Sequence, residues 1–182
     1  MRVVVGVTGA SGAQYALALL RNLKGHDVDL VISEDAKKVI AHELDMPAKA
    51  FGRLAAHTYA NADTAARPSS GSYRFDAMVV VPCSMGTLGK VAWGISDNLI
   101  TRAAAVALKE KRKLILVPRE TPLAATHLEN MLKLANQGVV ILPAMPGFYH
   151  WPKTVDDLVN FVAGKILDQL GIENKLFKRW RE

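Results

Sequence analysis

The stretch Val-Val-Val-Gly-Val-Thr-Gly-Ala-Ser-Gly at residues 3–12 constrains the fold more than any other part of the chain. Its branched apolar residues predict a short buried strand, and the small residues after them predict a tight turn. Residues 13–23 then place apolar side chains on one helical face, and Gly25 suits the end of that helix. A glycine-rich turn that opens a helix exposes backbone N–H groups at the positive end of the helix dipole, which suits a phosphate.

Two interpretations of this turn remain open. Residues 9–12 could hold a phosphate-bearing cofactor or substrate, or they could form an ordinary tight turn of an α/β fold. The even spacing of Gly6, Gly9 and Gly12 departs from the dinucleotide fingerprint. The second predicted strand, residues 28–32, ends at Ser33 and not at an acidic residue, which also departs from that fingerprint.

Composition indicates one globular domain. The chain has 182 residues, of which 50% are hydrophobic and 22% charged, so it is large enough to bury a core without a metal or disulfide. Its single cysteine excludes an internal disulfide and agrees with a reducing cytoplasm. The first strand starts at once and no apolar run reaches membrane length, so we expect a cytoplasmic protein without signal peptide or membrane partner.

The net charge of +6 favours an anionic small-molecule substrate over nucleic acid. The lysines and arginines are scattered, and no nucleic-acid-binding motif accompanies them. No metal site is expected either, since His42-Glu43-Leu44-Asp45 lacks the second histidine of a zinc-protease helix.

Buried strands alternate with amphipathic helices along the rest of the chain. Further strands are predicted at residues 28–32, 77–81, 114–117 and 139–142, and helical patterns at 35–44, 88–95, 97–108, 124–136 and 155–170. This alternation predicts a three-layer, Rossmann-like (flavodoxin-like) doubly wound parallel sheet with helices on both faces. In residues 48–73 the periodicity weakens, and we expect a functional loop there.

A second small-residue turn, Cys83-Ser84-Met85-Gly86-Thr87, follows the strand at 77–81. In a doubly wound sheet this turn and the first one share the carboxyl edge, where ligands bind, so a cofactor site is expected between them. Cys83 itself is interpreted as an inert buried thiol, since no histidine lies near it in sequence.

Two groups of charges stand in unusual places. Arg119 and Glu120 lie between two prolines at the end of a buried strand, where charges commonly bind or catalyse. Glu43 falls on the apolar side of its helix, and it is either a capping charge at a helix end or a functional carboxylate.

Ordered motifs along nearly the whole chain resemble those of the flavin prenyltransferase family. They are Thr8-Gly9-Ala10-Ser11-Gly12, Pro82-Cys83-Ser84, Asp97-Asn98-Leu99 with Arg102-Ala103-Ala104, Leu108-Lys109-Glu110, Arg119-Glu120-Thr121-Pro122-Leu123, His127-Leu128 and Pro146-Gly147-Phe148-Tyr149-His150.

The resemblance implies a flavodoxin-like fold and a homododecamer with FMN at subunit interfaces. It implies transfer of a dimethylallyl group from dimethylallyl phosphate to N5 and C6 of reduced FMN. The product, prenylated FMN, would serve a partner decarboxylase.

The resemblance also implies roles for individual residues. The flavin would meet Gly9, Ala10, Ser11, Ser33, Ser84, Met85, Gly86, Thr87 and Arg119. The donor phosphate would meet Arg102, Lys109, Tyr149 and Lys165, some of them from neighbouring subunits. Ser11, Glu43 and Glu120 would be catalytic, and Trp180 would form an aromatic wall on a tail, residues 171–182, that packs on a neighbouring subunit.

Two alternatives belong to other functional classes. FMN-dependent oxidative cysteine decarboxylases share the fold, but they carry an asparagine in the turn after the third strand and an early catalytic histidine. Here that turn reads Pro82-Cys83-Ser84, and His26 falls in a surface turn. A passive FMN carrier would not need the cations Arg102 and Lys109 beyond those for the flavin's own phosphate.

Overall fold

The computed structural model describes residues 1–181, so Glu182 at the end of the predicted tail lies outside the described residues. Six parallel strands form one sheet in the order β3-β2-β1-β4-β5-β6. They are β1 (Arg2–Val7), β2 (Asp27–Ile32), β3 (His57–Ala60), β4 (Ala77–Cys83), β5 (Lys113–Pro118) and β6 (Val140–Ile141). The strand order reverses between β1 and β4, which confirms the predicted doubly wound fold.

Helices cover both faces of the sheet. They are α1 (Ala13–Asn22), α2 (Glu34–Leu44), α3 (Lys49–Gly52), α4 (Met85–Ala92), α5 (Leu99–Lys109), α6 (Ala125–Ala135) and α7 (Val155–Leu170). Along β1, Val3 and Val5 pack into the core beneath α1, α2 and α7, whereas Val4 packs into the core beneath α4 and α5. This alternation follows from the two-residue period of a strand. Within residues 1–181, none of these helices has the length and apolar character needed to span a membrane.

The expectation of a long irregular segment at residues 48–73 was wrong in part. That segment contains α3, the edge strand β3 and a short 3-10 helix, Arg67–Ser69. In β3 only Tyr59 is partly buried, while His57, Thr58 and Ala60 are exposed. A four-residue strand without a buried face shows no alternation, so hydrophobic periodicity could not reveal it.

Helix α6 turns two large apolar side chains outward. Leu128 and Leu132 are 53% and 63% exposed, whereas Asn130 and Leu134 are buried. Asn130 is satisfied there, because its Oδ1 accepts a hydrogen bond of 3.0 Å from Trp93 Nε1. Leu128 and Leu132 thus face away from the core of their own chain, whereas Met131 packs against it.

Candidate active site

Thr8 ties together the turns that follow β1 and β4. Its backbone N and its Oγ1 donate to the Pro82 carbonyl at 3.2 Å and 2.8 Å. The same hydroxyl accepts from Ser84 N at 2.8 Å, and Thr8 is only 3% exposed. The two turns therefore hold a fixed relative position at the switch point of the sheet, which confirms that they share the carboxyl edge.

The turn after β4 presents the start of α4 to this edge. Ser84 Oγ accepts from Thr87 N at 3.3 Å and donates to Thr87 Oγ1 at 3.0 Å, so Ser84 is the N-cap of α4. Met85 is buried, but Gly86 is exposed, and a Cβ added to Gly86 would meet nothing within 4 Å. Ser33 caps α2 in the same manner, accepting from Ala36 N at 3.1 Å. Helix starts with open space in front of them can accept an anionic ligand.

Glu43 of α2 caps the start of α1, a helix other than its own. Its Oε2 accepts hydrogen bonds of 2.9 Å from the backbone N of Gly12 and of Ala13. Gly12 has a φ of 111°, a left-handed backbone conformation that favours glycine. In this conformation its N–H group points at the Glu43 carboxylate. Glu43 is thus a capping charge, but at the start of α1 and not at the end of its own helix, where the sequence had suggested it. The expectation that the whole turn offers N–H groups to a phosphate does not hold at Gly12 and Ala13, where Glu43 takes that place.

Glu43 keeps its negative charge at neutral pH. Partial burial raises the pKa of Glu43, but hydrogen bonds from Ser11, Gly12 and Ala13 and the charge of Arg119 outweigh it. The net pKa therefore lies below the ordinary value for glutamate. A carboxylate held in this way can orient the Ser11 hydroxyl and stabilise positive charge, but it is a poor proton donor.

Arg119 brings the end of β5 into the same cluster. Its backbone N donates to the Cys83 carbonyl at 3.3 Å, and its guanidinium is close enough to Glu43 to lower that pKa. Glu120 is exposed, and its Oε1 accepts from Thr121 N at 3.0 Å. The carboxyl edge thus joins Ser11, Glu43 and Arg119, while Glu120 faces outward beside them.

Two of the predicted cations, Arg102 and Lys109, lie on α5. Lys109 Nζ pairs with Glu110 at 2.6 Å, and Arg102 Nε donates to the Ser69 carbonyl at 3.1 Å. Lys109 ends α5 just before β5 begins, whereas Arg119 follows the end of that six-residue strand. Since a strand rises about 3.3 Å per residue, Lys109 and Arg119 stand at opposite edges of the sheet, about 20 Å apart. One chain does not bring Lys109 and Arg119 together.

Tyr149 and Trp180 lie beside α7, and Lys165 is a residue of that helix. The rings of Tyr149 and Trp180 meet edge to face, with centroids 5.3 Å apart. Lys165 Nζ lies 3.8 Å from Asp168, which also pairs with Arg179. The described tail thus contacts its own α7, while Trp180 stays 65% exposed. Packing of the tail on a neighbouring subunit stays a prediction.

The structure agrees with an inert Cys83. The side chain is fully buried, and this burial raises the pKa of its thiol to about 12, although a backbone contact with Leu88 lowers it slightly. A protonated thiol is a weak nucleophile at neutral pH.

Sequence analysis missed two contributions to the site. Thr8 begins a small-residue motif, but its position after a strand does not reveal that it bridges two turns. Asp168 carries no sequence signal, yet it accepts hydrogen bonds from both terminal nitrogens of Arg179, at 2.5 Å and 2.7 Å. Only the long-range contacts of these residues show their roles.

Comparison with known proteins places the chain in a family. The family model described as Flavoprotein matches residues 1–167. Flavin prenyltransferase UbiX of Thermoplasma acidophilum is 57% identical over 180 residues, which cover 99% of this chain and 100% of the relative.

Two solved structures are similar over the whole chain. AnUbiX in complex with FMN and dimethylallyl pyrophosphate is 42% identical, with a TM-score of 0.97 over 100% of this chain and 97% of that one. A dodecameric FMN-dependent UbiX-like decarboxylase from Escherichia coli is 47% identical, with a TM-score of 0.96 over 100% of both chains.

The cysteine decarboxylase alternative receives no comparable support. An FMN-dependent cysteine decarboxylase of known structure is 19% identical, with a TM-score of 0.63 over 79% of this chain, which shows a shared fold alone. The full-length match to UbiX proteins and the ordered motifs at the carboxyl edge together decide the family. The chain belongs to the flavoprotein family and, within it, to the UbiX-type flavin prenyltransferases.

Proposed function

We propose that the chain transfers a dimethylallyl group from dimethylallyl phosphate to N5 and C6 of reduced FMN. One observation carries the proposal: the carboxyl edge joins Ser11, Glu43 and Arg119 in a chain that aligns end to end with flavin prenyltransferases. The resulting prenylated FMN would serve a decarboxylase that uses it as cofactor. The buried, reduced Cys83 agrees with a cytoplasmic location for this chemistry.

The residues at the switch point fit FMN. Ser33 and Ser84 supply hydroxyls at helix starts, Gly86 borders open space, and Arg119 supplies a cation for a phosphate. We expect Gly9, Ala10, Ser11, Met85 and Thr87 to complete the flavin contacts. When bound in reduced form, FMN supplies the nucleophilic N5 and C6 atoms.

Other side chains would act on the prenyl donor. Breaking the allylic C–O bond releases phosphate, whose charge cations and a tyrosine hydroxyl stabilise, and the residues expected for this are Arg102, Lys109, Tyr149 and Lys165. The allylic carbon becomes positive as that bond breaks, and the ring faces of Tyr149 and Trp180 stabilise positive charge. A base must then take a proton from C6, and either the leaving phosphate or Glu120 can do so. Glu43, which stays ionised, would orient the Ser11 hydroxyl toward the bound flavin.

The donor site would be shared between subunits. Lys109 stands about 20 Å from Arg119 within one chain, because a six-residue strand separates them. The dodecameric relative supports an assembly in which a neighbouring copy delivers Arg102 and Lys109. We therefore expect a homododecamer whose sites lie at subunit interfaces.

Anaerobic incubation with reduced FMN and dimethylallyl phosphate tests the reaction. Mass spectrometry of the released flavin should show the gain of one dimethylallyl unit. If Glu120 is the base, Glu120→Gln should lower the rate by about a hundredfold or more, whereas Glu129→Gln on the exposed face of α6 should not. Unmodified FMN after incubation with wild-type protein would contradict the proposed function.

A further inference from the structure

Helix α7 holds the C-terminal tail through two unlike contacts. Phe161 on α7 is buried, and its ring lies 4.8 Å from that of Phe177 at 52°. Two turns further along the helix, Asp168 accepts from both terminal nitrogens of Arg179, at 2.5 Å and 2.7 Å. An apolar contact and a bidentate ion pair together fix both the position and the direction of the tail.

The same helix holds the loop that carries Tyr149. The His150 ring stacks on Phe161 at 11°, with centroids 5.2 Å apart. Tyr149 meets Phe161 edge to face at 5.8 Å. A Cβ at Gly147 would lie 3.0 Å from Phe161 Cζ, a tighter contact than real Cβ atoms usually make. The loop therefore rests directly on the ring of Phe161.

Tyr149 and Trp180 meet only because both segments are held in this way. They are 39% and 65% exposed, and their rings contact each other at 89°. Exposed aromatic side chains change rotamer readily unless neighbours restrain them. Their restraint comes from five residues, His150, Phe161, Asp168, Phe177 and Arg179, which we name the α7 clamp.

We infer that the α7 clamp positions Tyr149 and Trp180 for the prenyl donor, with His150, Phe161 and Asp168 as its positioning residues. The inference rests on the proposed function for the identity of the donor. None of these three residues is expected to touch the reacting atoms. They act through Tyr149 and Trp180, and Asp168 also lies 3.8 Å from Lys165. A displacement of about 1 Å at such residues can lower a rate by about a hundredfold.

The His150 ring contributes to the α7 clamp through aromatic packing. Both of its ring nitrogens are buried and have no hydrogen-bond partner in the described part of the chain. Besides Phe161, the ring meets Tyr149 at 77° and Phe177 at 63°. All three contacts use the faces and edges of the ring, so phenylalanine should replace histidine here.

Steady-state kinetics with matched variants test the clamp. His150→Ala, Phe161→Leu and Asp168→Asn should raise KM for dimethylallyl phosphate or lower kcat, by about tenfold to a hundredfold in kcat/KM, with KM for reduced FMN unchanged. His150→Phe should restore the activity that His150→Ala loses. Asp156→Asn, the same substitution at an exposed position of α7, is the control and should behave as wild type.

Hydrogen exchange measured by mass spectrometry gives a readout independent of turnover. In the three clamp variants, amides of residues 172–181 should exchange faster, while those of β1 and β4 should not change. If tail exchange stays at the wild-type rate in all three, or if His150→Phe is as impaired as His150→Ala, the inference is wrong. Should one variant fail to fold, the other two still decide.

The two proposals fail in different ways. Wild-type protein that transfers no prenyl group contradicts the proposed function alone. In that case the clamp is judged by tail exchange together with calorimetric binding of dimethylallyl phosphate to FMN-loaded protein. Weaker binding in His150→Ala with recovery in His150→Phe supports the clamp, and equal binding in both overturns it.

Discussion

The carboxyl edge around Thr8 and the α5 residues that we propose for donor binding differ in how completely one chain builds their surroundings. At the edge, Thr8 and Glu43 satisfy backbone N–H groups of adjoining turns, with distances between 2.8 Å and 2.9 Å. On α5, Arg102 and Lys109 are exposed; Arg102 donates to a loop carbonyl and Lys109 pairs with a neighbouring carboxylate. The first region is a product of sheet topology, whereas we propose that the second acquires its role when another copy approaches.

Mixed assemblies offer the strongest test of this difference. Lys109→Ala and Glu120→Gln should each lose about a hundredfold or more of the prenyl transfer rate, because each removes a group that acts on charge in the transition state. If Lys109 serves a neighbour's site, co-expression of the two variants creates some sites with both residues intact. We expect activity to reappear in the co-purified mixture, as measured by mass spectrometry of the flavin.

A control for that experiment is a mixture of the two proteins purified separately and kept from exchanging subunits. It should remain as inactive as its components. Absence of recovery in the co-expressed assembly would show that Lys109 acts within its own chain, and the comparison between the two regions would then fail.

Glu43→Gln tests the carboxyl edge, which a single chain builds completely, and its expected effect on stability is smaller. Loss of the charged acceptor for Gly12 and Ala13 should lower the free energy of unfolding by about 1 kcal/mol, since the site is only partly shielded from solvent. The pKa of Glu43 is lowered in the folded state, so its contribution to stability is fully present above the pKa that this carboxyl has in the unfolded chain. It is lost as pH falls through the folded pKa.

Urea unfolding at neutral and acid pH measures this contribution. The gap between wild type and Glu43→Gln should narrow in acid. Glu34→Gln, at an exposed ion pair of the same helix, should change stability by less than about 0.5 kcal/mol and is the matched control. A gap that widens on acidification would contradict the ionised capping role.

Cys83 should show the smallest functional effect. Burial raises the pKa of its thiol to about 12, so a maleimide reagent should not react with native protein at neutral pH. Urea-unfolded protein should react fully, as the control. Cys83→Ala should keep prenyl transfer near the wild-type rate. Loss of transfer in a stably folded variant would contradict the assignment of Cys83 as an inert thiol.

The sequence predicted the parts whose signals are local. Strands such as β1 and β4 are unbroken apolar runs, and their turns are rich in small residues, so the sheet and its ligand edge could be located. Strand β3 could not be predicted, because Tyr59 is its one partly buried residue and no alternation of apolar and polar residues results. Glu43 was correctly seen as either a cap or a functional group, but the pattern could not show that it caps α1 from another helix.

By itself, the sequence determined the α/β class, the parallel sheet with its ligand edge and the family, because each depends on short-range periodicity or on ordered motifs. Tertiary structure alone decided three things: that Thr8 joins two turns, that Leu128 and Leu132 face outward, and that α7 holds both Tyr149 and Trp180. These depend on which residues distant in sequence meet in space. Hydrogen bonds and ring contacts between such residues leave no period in the sequence, so only the packed chain reveals them.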